Sequence, residues 1–209
     1  MAAGLQASLF DVTDDGPAVG SLDVGVRRTE LTEGAWVDVR PGWLQGSVDV
    51  FDALHTGVPW RAEERRMYDS TVAVPRLLAM YLRGDRLPHP ILEVARDALD
   101  DRYRCVLPGG FETAGLCLYR DGSDSVAWHG DRIGRGRTHD TLVAIVSLGA
   151  PRPLLLRPRG GGASRKFLLG SGDLVVMGGS CQRTWEHAVP KVSGVGPRIS
   201  VQFRPAGVF

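Results

Sequence analysis

The sequence predicts a mainly β protein with a helical front layer, an α+β arrangement built on an antiparallel jelly-roll-like core. Two observations carry that expectation. From about Thr113 onward, eight short apolar or alternating runs follow one another, most of them separated by Gly, Pro, Asp or Ser, with no helix between them. Before that point helix and strand periodicities are mixed.

Taken in order, "AWVDVR" (Ala35–Arg40) alternates in the manner of a half-buried strand. Val48, Phe51 and Leu54 recur at helical spacing until "GVPW" stops the segment. Leu92, Ala95, Leu99 and Tyr103 share one face of a second helix, opened by Pro88 and Pro90. The eight later runs are "AGLCLYR", "DSVAWH", "TLVAIVSLG", "PLLLR", "KFLLG", "DLVVM", "TWEHAV" and "RISVQFR". Gly172-Asp173 reads as a hairpin turn between two of them. No repeat occurs, and the one short biased loop is "RPRGGGASRK" at Arg157–Lys166.

The chain has 209 residues, enough for one well-buried core, and no apolar run near the roughly 18–20 residues of a membrane span. The first residues, "MAAGLQASLFDVTDDG", lack a basic stretch followed by an apolar one, so a cytoplasmic protein without a secretion signal is expected. Cys105, Cys117 and Cys181 have no metal-type spacing and read as reduced, small core residues. A formal net charge of +1 excludes a globally basic nucleic-acid binder. Arginines cluster locally, at Arg132, Arg135 and Arg137 and again from Arg152 to Arg165, where they suit phosphates. The general preference of this chain for arginine over lysine explains part of that clustering.

Candidate chemistry starts at "VAWHGDR", where His129 and Asp131 stand two apart. In an extended chain such residues face the same way. Five histidines among 24 acids give about 0.6 chance occurrences of this pattern, so it needs partners. His187 in "TWEHAVP" offers a third ligand from another strand, although a lone histidine there also reads as a core residue. Two histidines and one carboxylate make the facial triad of non-haem iron(II) oxygenases. In the last run, Ile199, Val201 and Phe203 point one way, while Arg198, Ser200, Gln202 and Arg204 point the other. Six residues of strand span about 20 Å, so the guanidinium forks of Arg198 and Arg204 can reach both ends of a small dicarboxylate.

Together "YRDGSDSVAWHGD", "SLGAPR", "SGDLVVMGGSCQRTWEHAVPK" and "RISVQFRP" resemble the AlkB family of iron(II)/2-oxoglutarate dioxygenases. "PW…RRMYDSTVAVPRLLAMY" (Pro59–Tyr81) resembles that family's substrate lid, so the similarity runs from about Pro59 to Pro205. The resemblance implies a double-stranded β-helix with an N-terminal nucleotide-recognition lid. Within the chain it implies an N-terminal extension over about 1–40, lid and supporting helices over about 41–104, and the core over about 105–209. It implies iron ligands at His129, Asp131 and His187, with 2-oxoglutarate and O2 as cosubstrates. Arg198 is implied to pair the distal carboxylate of 2-oxoglutarate, and Arg204 to lie near its metal-chelating end. Tyr119 matches the tyrosine of the family's Asn-x-Tyr motif, whereas Cys117 replaces its asparagine and removes an amide partner. Ile133 stands where base-repairing members commonly carry an acid, and an apolar side chain cannot satisfy an exocyclic amine or a cationic base. Arg135 follows nearby as a further substrate candidate.

In the lid, Arg76 and Tyr81 match the family's Pro-Arg…Tyr stretch, and Tyr81 is placed to line a pocket for a flipped base. Trp60 and Tyr68 are further aromatic candidates, with ordinary packing under the lid the competing expectation. Trp128, Trp185, Cys105 and Cys181 are expected in the core, and His139 in a loop. The function implied is oxidative demethylation of N-alkylated bases in DNA or RNA by a monomer, with methylated nucleic acid as the partner and formaldehyde, succinate and CO2 released. Two alternatives stand beside it. One is a 2-oxoglutarate-dependent hydroxylase or demethylase of modified RNA, protein or a small molecule, which Ile133 favours. The other is a non-catalytic β-helix protein that binds nucleic acid or metal.

Overall fold

A computed structural model describes residues 16–67, 70–131 and 135–208 of the chain. The elements before the first helix are β1 (Ala18–Val19), β2 (Arg27–Glu30), β3 (Ala35–Arg40) and β4 (Leu44–Gln45). Helix α1 (Ser47–Gly57) follows a left-handed Gly46 and ends at Val58, which precedes Pro59 and takes the extended conformation that a proline imposes on its predecessor. It buries Val50 and Leu54, while Val48, expected on the inner face, is 67% exposed. The 100° step per residue turns position 48 away once 50 and 54 face the sheet.

Next come β5 (Arg61–Met67), β6 (Ser70–Tyr81) and helix α2 (Pro90–Tyr103). Proline opens α2, where its missing N–H costs nothing, and the His89 ring accepts from the Ile91 amide. Leu92, Ala95, Leu99 and Tyr103 are all buried along one stripe, as their spacing predicts.

The eight later runs form strands β7 (Thr113–Tyr119), β8 (Val126–His129), β9 (Val143–Gly149), β10 (Arg152–Pro158), β11 (Arg165–Leu169), β12 (Leu174–Gly179), β13 (Trp185–Val189) and β14 (Arg198–Arg204). One departure is the four-residue helix α3 (Cys181–Thr184) between β12 and β13, where the sequence suggested no helix. It lacks the length to show any helical periodicity. Gly172 takes φ +81° in the β11–β12 turn, where Asp173 accepts from the Gly170 amide.

All pairings are antiparallel. The larger sheet runs β2-β3-β12-β9-β14-β7-β6-β5 and the smaller β11-β10-β13-β8, with β1 and β4 as a separate pair. Residues before 105 therefore supply four strands of the larger sheet as well as the helices. β3 bonds to β12, and β6 bonds to β7.

Alternation divides the larger sheet into two faces. Leu116, Leu118, Val146, Leu148, Ile199, Val201 and Phe203 join the helices in one core. Cys117, Tyr119, Val143, Ile145, Val175 and Met177 join Leu154, Leu156 and Trp185 of the smaller sheet in another. The helix side is latched by Asp38, which accepts both from Arg28 and, at 2.9 Å, from the Tyr103 hydroxyl at the end of α2. Cys117 and Cys181 are buried as expected, but Cys105 is exposed, because it lies beyond the last buried turn of α2. Among the described residues, no helix is long and apolar enough to cross a membrane.

Leu116 is fully buried on the helix side. Leu116→Ala is expected to cost roughly 2–5 kcal/mol in urea unfolding, whereas Val48→Ala should stay within about 0.5 kcal/mol of the parent protein.

Candidate active site

Three side chains meet where the smaller sheet faces the larger one. His129 closes β8, His187 lies on β13, and the two are direct cross-strand partners beside a bulge that precedes Val189. Their ring centroids are 4.2 Å apart, and His129 Nε2 is 3.8 Å from Asp131 Oδ1. One ligand atom from each residue lies within 4.8 Å of the others. Gly130 makes this turn possible, since a Cβ there would lie 2.7 Å from the Gln182 carbonyl oxygen.

Hydrogen bonds leave the ligand atoms available. His129 Nδ1 is 2.8 Å from the Ala127 carbonyl, which can only accept, so Nδ1 carries the proton and Nε2 keeps its lone pair. The Asp131 amide donates to Gln182 Oε1 at 2.9 Å, and Asp131 Oδ2 accepts from Arg204 Nε at 2.7 Å. Oδ1 remains for a cation. Burial opposes ionisation of Asp131, but the charge and hydrogen bond of Arg204 overcome it and hold the carboxyl at about 2. Burial, assisted by His129, lowers His187 to about 3, so its imidazole is neutral and able to donate a lone pair.

The triad opens into a cavity of about 910 Å³. Across it, β14 presents two arginines on the face that alternation predicts. Arg198 is buried, donates Nε to Ser147 at 3.0 Å, and has its guanidinium carbon 5.2 Å from the Tyr119 ring centroid. Register places Arg198 directly beside Tyr119 on β7, and Ser200 beside Cys117. The Cys117 sulfur accepts from the Gln202 amide at 3.2 Å, so the thiol sits in a polar chain that also includes Ser200 and Arg204. Gly115 leaves room for Arg204, whose Nη1 would lie 3.0 Å from a Cβ at that position.

Two imidazole nitrogens and one ionised carboxylate form a donor set that suits a borderline divalent cation such as Fe(II), with room on the cavity side. Arg198 at one end, Arg204 beside the triad and the Tyr119 hydroxyl fit a small dicarboxylate.

The sequence pattern of the 2OG-Fe(II) oxygenase superfamily matches residues 60–204. The chain belongs to this superfamily. Alpha-ketoglutarate-dependent dioxygenase alkB homolog 3 of Homo sapiens is 30% identical over 207 positions, covering 86% of this chain and 66% of that protein. The DNA oxidative demethylase ALKBH2 of Arabidopsis thaliana is 31% identical over 205 positions, covering 77% of this chain and 62% of its own length. The chain thus spans just under two thirds of these relatives. The solved structure of OsALKBH1 superposes with a TM-score of 0.61 over 86% of this chain and all of that one, at 15% identity, and so shares the fold. Within the superfamily the chain is AlkB-like, and Fe(II), 2-oxoglutarate and O2 are the cofactor and cosubstrates of its family.

In this AlkB-family chain the cavity gathers most of the anticipated residues. Arg76 lines the same space as the triad, and Tyr81 borders it while packing against the helix-side core. Trp60 does not. Its ring packs against the helix-side core and its indole N–H donates to the His55 carbonyl, because position 60, just before β5, faces away from the cavity that Pro59 and Arg61 line. Tyr68 and Ile133 lie outside the described residues, and Arg135 is described only in its backbone, within a 3₁₀ turn.

Trp128 is a correction. It is half-buried and lines the cavity, with the Arg157 guanidinium 4.2 Å from its ring centroid, because β8 is an edge strand with no neighbour to enclose it. Trp185 is buried in the core, as expected, and His139 is exposed. Sequence reading passed over Gln182, which sits on α3 and fixes the Asp131 amide from 51 residues away. No local signal marks it.

Gly130→Ala is expected to weaken divalent-metal binding by about 10–100-fold, read by titrating Mn(II) into the purified protein, because the added methyl forces the His129–Asp131 turn away from Gln182.

Proposed function

We propose that this chain is an Fe(II)/2-oxoglutarate-dependent dioxygenase that oxidatively demethylates N-alkylated bases in DNA or RNA. The observation that carries the reading is the His129–Asp131–His187 triad facing Arg198 and Arg204 across one cavity. His129, Asp131 and His187 hold the iron. Arg198 and Tyr119 bind the distal carboxylate of 2-oxoglutarate. Arg204 fixes Asp131 and stands beside the chelating end. Iron with oxygen and 2-oxoglutarate supplies the oxidation of an N-methyl C–H bond, yielding succinate, CO2 and a hydroxymethyl amine that releases formaldehyde.

The chain's own residues supply placement. The apolar walls Val143, Ile145 and Leu154 exclude bulk water from the cavity floor. Tyr81 and Trp128 offer aromatic surface for a base turned out of its stack, and Arg76 offers a cation on the same side. The relatives, which include a DNA oxidative demethylase, support a nucleic-acid substrate. The segment from Pro59 to Tyr81, whose strand β6 carries Arg76 and Tyr81, acts as the substrate-facing lid in this reading.

Formaldehyde release across a panel of methylated single- and double-stranded DNA and RNA oligonucleotides tests the substrate. Turnover on a methylated peptide with none on any oligonucleotide removes the nucleic-acid reading. His129→Ala is expected to lower substrate-coupled succinate formation by at least a thousandfold, on the order of losing one indispensable ligand. Retained turnover in that variant overturns the metal assignment. Incubation with EDTA should abolish activity, and Fe(II) should restore it.

A further inference from the structure

Arg152 opens β10 in the sheet facing Tyr119, and it is one of the largest fully buried side chains, at 0% exposure. Its guanidinium donates to three main-chain carbonyls, those of Asp121 at 3.0 Å, Asp124 at 2.8 Å and Pro190 at 2.7 Å. Its Nε has no partner among the described residues. Nor does a carboxylate pair with it there. The nearby Asp124 side chain is taken by Arg120, and only its carbonyl reaches Arg152. This is a buried cation held by main-chain carbonyls and without a counter-ion, so ion pairing does not explain its charge.

The charge has a neighbour that gives it a use. The Arg152 guanidinium carbon lies 5.4 Å from the Tyr119 ring centroid, and that of Arg198 lies 5.2 Å from the same point. Tyr119 therefore has two guanidinium groups close to its ring, one from each sheet. Arginine has donors and no acceptor, so neither cation can take the Tyr119 hydroxyl proton, which stays available for an incoming carboxylate oxygen.

We propose that Arg152 is a positioning residue for the cosubstrate: it fixes Tyr119 from the facing sheet and supplies a second buried positive charge behind it, making this end of the cavity selective for an acid with a distal carboxylate. The inference rests on the reading of Tyr119 and Arg198 as the 2-oxoglutarate anchor. Arg152 does not touch the ligand. It acts through Tyr119 and through the potential at Arg198, which is strong where water is excluded.

The test is calorimetric binding of 2-oxoglutarate to Mn(II)-loaded protein without oxygen, alongside 2-oxopentanoate, which keeps the chelating end and lacks the distal carboxylate. Arg152→Gln retains an amide donor, Arg152→Met retains volume and Arg152→Lys retains charge. In either neutral variant, 2-oxoglutarate affinity should fall about tenfold, while Mn(II) and 2-oxopentanoate affinities stay within about twofold. Arg152→Lys should keep the parent ratio between the two acids. Equal loss for both acids, or weakened Mn(II) binding, identifies Arg152 as packing alone and overturns the proposal. If neither neutral variant folds, a reduced ratio in Arg152→Lys overturns it equally. Arg198→Gln is the control for the underlying reading. Unchanged 2-oxoglutarate binding in that variant defeats the anchor assignment itself, whereas weakened binding there with none in the neutral Arg152 variants defeats only the present inference.

Discussion

Arg204 on the last strand donates to Asp131 at the end of β8, and this single ion pair ties the larger sheet to the metal-ligating turn of the smaller one. Both partners are withdrawn from water, with side-chain exposures of 12% and 5%. Removing two charges from solvent is costly, and geometry and further bonds must offset the loss. Here they do so. Arg204 also donates to Gln202, and its charge keeps Asp131 ionised. The consequence is chemical. One carboxylate oxygen is committed to arginine, and the other is left facing the two imidazoles. The orientation of the donor set follows from this pair and from the Ala127 carbonyl behind His129.

The rest of the architecture separates stability from chemistry by strand alternation. On β7, β9 and β14, one set of side chains packs under α1 and α2 and is uniformly apolar. The other set faces the smaller sheet and carries the polar groups, including Tyr119, Ser147, Arg198, Ser200 and Arg204. Because period-2 geometry assigns every residue to one face, the helix side can be optimised for packing without disturbing the cavity. The cation content of the cavity then appears as a graded feature. Arg204 serves the metal turn and Arg198 lies beside Tyr119 in register, while Arg152, outside the cavity lining, reaches the same tyrosine from the facing sheet.

Cys117 shows how a departure in one residue is absorbed by its neighbours. Where the family pattern has an amide, this chain has a thiol that accepts from Gln202. The polar chain from Cys117 through Gln202 to Arg204 thus stays connected, although a donor toward the ligand is lost. Trp60 and Trp128 make the opposite point. Both are large aromatic residues near site segments, yet the first packs on the helix side and the second lines the cavity.

The sequence by itself determined the strand identities from Thr113 onward, the buried stripe of α2, and the split of β14 into an apolar and a cationic face, because these depend only on local periodicity. It also showed His129, Asp131 and His187 as candidates, since i and i+2 share a face in any extended chain. Only the tertiary structure decided that His187 lies directly opposite His129, that Gln182 holds the Asp131 amide, and that β3 and β6 extend the core sheet. Those facts depend on pairing between segments about 30 to 140 residues apart. No local pattern encodes the register of such pairings, which emerges when the apolar faces of the whole chain are buried together.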